Sequence, residues 1–499
     1  MDRADHADGV IRTAVTLTGR CLYLGAGEGG PAWAGPEQAV LVLGPPRSGK
    51  TSGLVVPTVL GAPGPVVSTS TKPDVLRVTA GARGRTGPCF VYDPSGTVDV
   101  PTGVEAVRWS PVVGCERWDE ALLVARGLVG AVRPPGGRDG GEVGTDHWSE
   151  RAQALLAPVL HAAALDEVEL ATVLAWIDRR QAGPALSILD REGAVVAGDL
   201  LAGIAATDGR EQSGIWSTAS GVLGAYRSET ALATTVAPDF DPEAFCRSGA
   251  TLYICATGRH QALAAPLVVG LLTGIRAAAY ARAAAGMGGP PVVLALDEVA
   301  NIAPVPDLPA MVSEGGSQGV VTMACLQDLS QARARWGTAA EGFLSLFGTT
   351  VVLPGIGDVA TLEALSTLAG EEEVVTRAVS GPVGGGGMVR AVVERVVGGG
   401  SRGRAEAAPS VTISTVLRHR LPADAVGRGA PGMALVVDER NAMGWVRLTP
   451  WFSSEPWRSA ALGADRERVV APVLEGRRPG WSRGDLGTGD GPAGRGWGR

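Results

Sequence analysis

The sequence predicts an α/β fold, in which a mostly parallel sheet is covered on both faces and interrupted by an all-α insertion. Three observations carry this prediction. Short apolar runs alternate with stretches of helical spacing, the pattern of strand–helix–strand units. The runs are apolar at nearly every position, as strands buried on both faces require. Between about Trp109 and Pro238 the runs stop, and apolar residues recur only at helical intervals.

The first run, Ala39 to Leu43, ends on Gly44, and Leu54, Val55 and Val56 follow before Pro57, so a strand, a loop and a helix succeed one another. The loop reads Gly44, Pro45, Pro46, Arg47, Ser48, Gly49, Lys50, Thr51. This is a complete G-x-x-x-x-G-K-[ST] phosphate-binding pattern in the local context such a loop needs. Its glycines let backbone N–H groups turn toward phosphate oxygens, Lys50 neutralises charge between the β- and γ-phosphates, and Thr51 offers a hydroxyl to Mg²⁺. Of the 44 basic residues only Lys50 and Lys72 are lysines. A compact ammonium is retained where a flat, forked guanidinium will not serve. ATP and Mg²⁺ are the expected ligands.

Val66 and Val67 start a second strand that runs into Ser68 to Lys72, and Phe90 to Tyr92 form a third ending at Asp93-Pro94. Lys72 falls at a strand end, where ligands of open α/β sheets gather. It approaches either the nucleotide or a subunit boundary, or it pairs with Asp74 on the surface. In the helical block, Trp148, Ala152, Leu155, Leu156, Val159, Leu160 and Ala163 share one stripe, as do Ile215, Ala219, Val222, Leu223 and Tyr226. The Gly-rich stretch Pro134 to Thr145 reads as a loop within it.

The α/β pattern resumes with a strand at Thr251 to Cys255, a helix at Leu263 to Ala284 and a buried strand at Val292 to Leu296. Asp297 and Glu298 follow that strand directly, a Walker B pattern. The aspartate reaches the Mg²⁺ water shell, and the glutamate can polarise an attacking water. Strands at Val320 to Cys325 and Thr349 to Leu353 follow, with helical spacing at Gly342 to Phe347 and Val359 to Leu368. Gln327, after the Val320 run, either senses the γ-phosphate or orients water, or else caps the turn before Leu329. Arg333 and Arg335 are candidates for arginine fingers toward a neighbouring subunit, against the alternative of a solvated helix face.

These boundaries divide the chain into an N-terminal extension (1–38), the first part of a nucleotide-binding domain (39–108), an all-α insertion (109–238) and the second part of the nucleotide-binding domain (239–455). The second part carries a Gly-rich excursion at 381–409, and residues 456–499 read as a disordered tail. Trp481 and Trp497 in that tail could stack on single-stranded bases.

Composition narrows the partners. A chain of 499 residues with 45% apolar content can bury several cores. Its formal charge of −7 argues against coating DNA through the whole surface and restricts nucleic-acid contact to a local basic lining. The six cysteines are scattered without metal-ligand spacing, which suits a reducing cytoplasm. Met1 to Asp8 lack the charged-then-apolar pattern of a leader. The longest apolar stretch, Leu263 to Ile275, is interrupted by Arg276 and reads as a buried helix.

Several stretches, taken in order, resemble the TraG/TraD family of type IV secretion coupling proteins, the ATPases of conjugative DNA transfer. They are Leu43 to Pro57, Ser68 to Asp74 with Thr79 after it, Val91 to Pro94, His147-Trp148 with Ala152, Leu296 to Ile302, Gln318-Gly319, Gln327 to Gln331, Trp336-Gly337, Arg420 to Pro422 and Pro450-Trp451. The resemblance spans roughly residues 20 to 455. It implies a RecA-like P-loop NTPase domain interrupted by an all-α domain that contacts relaxosome partners. It also implies a homo-hexameric ring and ATP-driven passage of single-stranded DNA, with bound relaxase, into a type IV secretion channel. In that pattern Lys50, Glu298 and Gln327 act in hydrolysis, while Thr51 and Asp297 hold the metal. Many members begin with transmembrane helices, whereas about 38 residues precede the first core strand here, so the expectation is a cytoplasmic protein whose membrane attachment either comes through a partner at the inner face or is absent. Many members also carry an arginine before the glycine preceding the Gln327 strand. This chain has Ser317-Gln318 there, so the pattern assigns no trans-acting arginine. Two other readings compete, a motor for protein substrates or double-stranded DNA and a non-hydrolysing nucleotide-binding adaptor.

Overall fold

A computed structural model describes Ile11, Val15 and residues 19–132, 143–257, 261–380 and 410–463. The proposed excursion at 381–409 and most of the Gly-rich stretch after Pro134 lie outside the described residues, as does the chain beyond 463.

The strands are β1 (Tyr23–Gly27), β2 (Gly30–Trp33), β3 (Val40–Leu43), β4 (Val66–Ser70), β5 (Cys89–Tyr92), β6 (Val104–Ala106), β7 (Thr251–Cys255), β8 (Val292–Leu296), β9 (Val320–Leu326), β10 (Thr349–Val352), β11 (Glu371–Ser380), β12 (Ser410–His419), β13 (Met433–Val437) and β14 (Met443–Arg447). Twelve of them form one sheet in the order β2-β1-β14-β13-β10-β3-β9-β8-β4-β7-β5-β6. From β10 to β6 every ladder is parallel. The other edge is antiparallel, built by the hairpins β1–β2 and β13–β14. The remaining two strands pair with each other as a separate antiparallel ribbon.

The helices are α1 (Val56–Gly61), α2 (Asp74–Arg83), α3 (Trp118–Val132), α4 (Val143–Leu165), α5 (Leu170–Asp178), α6 (Gly183–Arg191), α7 (Val195–Ala205), α8 (Gly209–Val222), α9 (Glu229–Ala233) and α10 (Pro242–Cys246). After β7 come α11 (Gln261–Ala284), α12 (Val299–Ile302), α13 (Leu308–Glu314), α14 (Leu329–Trp336), α15 (Phe343–Leu346), α16 (Val359–Ala369), α17 (Ala423–Arg428) and α18 (Trp457–Leu462).

Successive strand residues alternate between two cores, which explains why the central strands are apolar throughout. Val40 and Val42 face one side with Val293, Ala295, Met323 and the buried faces of α1 and α2. Leu41 and Leu43 face the other with Leu294, Leu296 and Ile254. That second core continues without a break through α11 into α3, α4 and α8. The inserted helices thus share their interior with the sheet. Within α11, the segment Leu263–Ala284 has the length and hydropathy of a membrane span, yet 72% of its apolar window is buried in this core.

Two boundaries differ from the sequence expectation. Residues 1–38, read as an extension, contain β1 and β2, whose Gly- and Pro-bearing sequences hide the strand signal. Residues read as the start of a disordered tail form α18. Trp457 is buried there against Tyr23 and Trp33, with ring centroids 5.0 and 6.0 Å away. The burial of one large aromatic orders this turn where composition alone suggested none.

The loop after α1 is held by Arg83, which is 1% exposed at the end of α2. Its guanidinium donates to Thr251 Oγ1 at 2.7 Å and to the carbonyls of Ala62, Gly64 and Gly249 at 2.6, 2.7 and 3.1 Å. The planar fork thereby ties the end of the phosphate-loop helix to the starts of β4 and β7. Arg83→Met leaves several buried carbonyls without donors and is expected to lower unfolding stability by about 3 kcal/mol or more, read as a lower urea midpoint. An unchanged midpoint would remove this role.

Candidate nucleotide-binding site

The loop from Gly44 to Thr51 leaves β3 and enters a π-helical turn, Thr51–Val55, which continues into α1. Single π-type turns inside helices recur at functional sites. The parallel sheet brings three strand ends to this loop, since β9 lies between β3 and β8, and β4 lies beyond β8. Gly49 has φ +98°, a conformation that L side chains rarely adopt, and it turns the loop back over the helix. Lys50 folds onto the same loop, its ammonium donating to the carbonyls of Gly44 at 2.5 Å and Pro45 at 3.0 Å.

Across the sheet, Asp297 follows β8 and is 6% exposed. The Thr51 hydroxyl donates to its Oδ2 at 2.6 Å, and Thr69 Oγ1 donates to its backbone carbonyl at 3.0 Å. Burial pushes the Asp297 carboxyl above its ordinary value, while the Thr51 hydrogen bond and the Lys50 charge act against that rise. Glu298 adopts the left-handed region (φ 55°, ψ 47°). A non-glycine residue is held there only when its surroundings over-determine it, and such positions concentrate at working sites. Asn301 Nδ2 donates to Glu298 Oε2 at 3.1 Å and orients the carboxylate.

These groups border one cleft of about 310 Å³, lined by Pro46 to Ser52, Asp297 and Glu298, by Ser70, Thr71, Lys72 and Asp74, and by Trp451 and Phe452. Ser48 Oγ within it is buried without a protein partner, as expected of a hydroxyl awaiting a ligand. The donor set fits Mg²⁺, because Thr51 and Asp297 supply two hard oxygens side by side and phosphate oxygens and water would complete the shell. Among the described residues, no group of three or more His, Cys, Asp or Glu side chains forms another metal site.

Gln327 stands just past β9, between the two motif strands, but it is not among the residues lining the cleft. Its backbone N–H donates to Gln331 Oε1 at 2.9 Å at the head of α14. Lys72 lines the cleft directly. Of the two arginines beyond Gln327, Arg333 keeps 39% of its side chain exposed, as a solvated face would have it. Arg333 pairs with Asp358 at 3.0 Å. Arg335 is turned inward onto the carbonyls of Gly130, at 3.4 Å, and Ala131 at the end of α3, and burial lowers its pKa to about 10. Trp451 and Phe452 were missed as site residues in the sequence, where Pro450-Trp451 marked only a closing segment.

The Asp297 shift has a pH consequence. A carboxyl whose folded value is raised binds protons more readily in the folded chain, so its contribution to stability falls as pH rises from the ordinary carboxylate value through the raised one. Asp297→Asn keeps an acceptor for Thr51 and removes the buried charge. It is expected to raise the thermal midpoint of the ligand-free protein by about 2 °C at pH 8, a gain that shrinks as pH is lowered toward the carboxylate range. A lowered midpoint at pH 8 would contradict this.

With the geometry in place, comparison with known proteins is direct. The bacterial conjugative coupling protein TrwBdeltaN70, unbound, superposes with a TM-score of 0.61 at 16% identity, covering 89% of this chain and 92% of that one. The plasmid coupling protein TrwB in complex with the non-hydrolysable ATP analogue ADPNP gives 0.59 at 17%, covering 83% and 86%. TrwB with ADP and Mg²⁺ gives the same values. At this identity the likeness establishes the fold, a RecA-like P-loop NTPase. No curated protein matches the sequence. The profile of the family described as "Type IV secretory system Conjugative DNA transfer" matches residues 5–384, most of the chain. The chain therefore belongs to the type IV secretory system conjugative DNA transfer family.

Proposed function

We propose that the chain binds ATP with Mg²⁺ in the cleft between β3, β8 and β4, and that it hydrolyses the nucleotide to drive single-stranded DNA with bound relaxase into a type IV secretion channel, working as a homo-hexamer. The observation that carries the reading is the Thr51–Asp297 contact at 2.6 Å, with Lys50 and Glu298 lining the same cleft. The complexes of TrwB with ADPNP and with ADP and Mg²⁺ support the choice of ligand. The DNA cargo follows from the family, whose members couple DNA transfer to secretion.

In the mechanism, backbone N–H groups of Arg47 to Thr51 cradle the phosphates. Lys50 exchanges its two carbonyl partners for phosphate oxygens and offsets the charge that builds on them during transfer. Thr51 and Asp297 would hold Mg²⁺, which would supply charge neutralisation on the phosphate oxygens. Glu298, fixed by Asn301, accepts a hydrogen bond from the attacking water and aligns it with the terminal phosphate. Gln327, near but outside the cleft lining, senses the terminal phosphate through movement of α14. Lys72, which lines the same cleft, adds a further cation beside Arg47 and Lys50.

Glu298→Gln is expected to lower turnover by about 10² to 10⁴-fold while ATP affinity stays within about twofold, and Lys50→Ala is expected to lose ATP binding. Steady-state phosphate release and equilibrium titration separate the two. Single-stranded DNA is expected to accelerate the wild-type rate at low salt. Turnover indifferent to DNA but raised by a protein substrate would favour a protein-translocating motor, and absence of phosphate release would favour an adaptor.

A further inference from the structure

The wall formed by Trp451 and Phe452 is chemically unlike the rest of the cleft. The phosphate loop, Asp297, Glu298 and the Ser70 to Asp74 segment account for its polar lining. Apart from Pro46 in the loop itself, the apolar lining comes from Val56, Val78, Trp451 and Phe452. A charged phosphate chain gains nothing from these side chains, whereas a flat heterocycle does.

The aromatic pair reaches the site by a long return of the chain. Trp451–Ser453 form a 3-10 turn shortly after β14, and this turn packs against the π-helical Thr51–Val55 segment. The approach depends on Gly53. A Cβ there would lie 2.7 Å from Leu448 Cγ, closer than real Cβ contacts allow. Leu448 is pinned in turn by its N–H donating to the Gly432 carbonyl at 2.7 Å. Trp451 is 3% exposed, and its ring meets that of Phe452 edge-on at 5.6 Å and 85°. The buried indole therefore fixes the half-buried phenyl ring, and the phenyl ring presents itself to the cleft.

We infer that Trp451 and Phe452 form the base platform of the nucleotide site, with Phe452 stacking on the heterocycle and Trp451 holding its angle. This deepens the nucleotide reading above and rests on it. Stacking responds to ring area and leaves the hydrogen-bonding edge of the base unread. Among the described lining residues, Ser70, Thr71, Lys72 and Asp74 offer single donors or acceptors, and no Asn or Gln amide presents the paired donor and acceptor that would tell one purine edge from the other. The site accordingly accepts adenine and guanine to similar extents and favours either over a pyrimidine.

The test is equilibrium binding of ATP, GTP, CTP and inorganic tripolyphosphate, each with Mg²⁺, to the full chain and to Phe452→Ala, Phe452→Trp and Lys50→Ala. Phe452→Ala is expected to weaken ATP and GTP about tenfold each and CTP less, with tripolyphosphate unchanged. Phe452→Trp is expected to restore ATP and GTP, and Lys50→Ala to weaken all four ligands. The platform is overturned if Phe452→Ala binds ATP as the wild type does, if it loses tripolyphosphate as fully as ATP, or if the wild type separates ATP from GTP by tenfold or more. Lys50-dependent tripolyphosphate binding alongside any of these results removes the platform and leaves the nucleotide reading standing. Failure of the wild type to bind either ATP or tripolyphosphate removes both.

Discussion

The architecture turns on one hydrogen bond, the Thr51 hydroxyl on the Asp297 carboxylate at 2.6 Å. It joins residues 246 positions apart, and it can form only if the strand leading into the phosphate loop and the strand ending in Asp297 are parallel, similarly staggered and separated by a single strand. Parallel pairing needs long crossovers, and the crossovers supply the helices that cover both faces. The two cores, the strand order and the cleft are thus consequences of one geometric requirement. The cost is a carboxylate taken out of water, visible in its raised pKa.

The segment beyond Gln327 gives the inserted helices a physical connection to this site. Its helix, α14, begins two residues after Gln327, whose backbone N–H donates to Gln331 Oε1 within the helix, and near its other end Arg335 reaches the carbonyls that terminate α3. A cation at a helix C-terminus satisfies orphan carbonyls and complements the helix dipole. Asp307 adds a second link, pairing with Arg126 of α3 at 3.2 Å and with Arg276 of α11 at 3.7 Å. A displacement of α14 would therefore be felt by the insertion through Arg335.

The phosphate loop was legible because its chemistry is local. Eight consecutive residues supply turn, cation and hydroxyl, and an all-apolar run announces the strand before them. Asp297 and Glu298 were legible for the same reason. Gln327 was legible only as a strand end, since distance to the cleft depends on side-chain direction that spacing does not encode. Trp451 and Phe452 escaped as site residues because their position depends on the bare Cα of Gly53, roughly four hundred residues earlier, and no periodicity links the two. The antiparallel edge strands were hidden by their own composition. Tyr23–Gly27 and Gly30–Trp33 hold Gly and Pro residues that read as turns, and their partners restore the ladder only in three dimensions. Arg335 shows the limit of charge patterning, as helical spacing put it on a surface while the end of α3 drew it in, whereas Arg333 stays partly exposed beside Asp358.

The cluster of Tyr23, Trp33 and Trp457 gives the body an unusual mechanical closure. Tyr23 and Trp33, early in the described chain, and Trp457, late in it, meet through edge-to-face rings, which closes the intervening chain into a loop without a covalent link. Tension applied at either end of that loop would be met first by these rings and by the short hairpin beside them, and only afterwards by the strands that carry the phosphate loop. The strands that carry the phosphate loop would thereby keep their register while the periphery takes the strain.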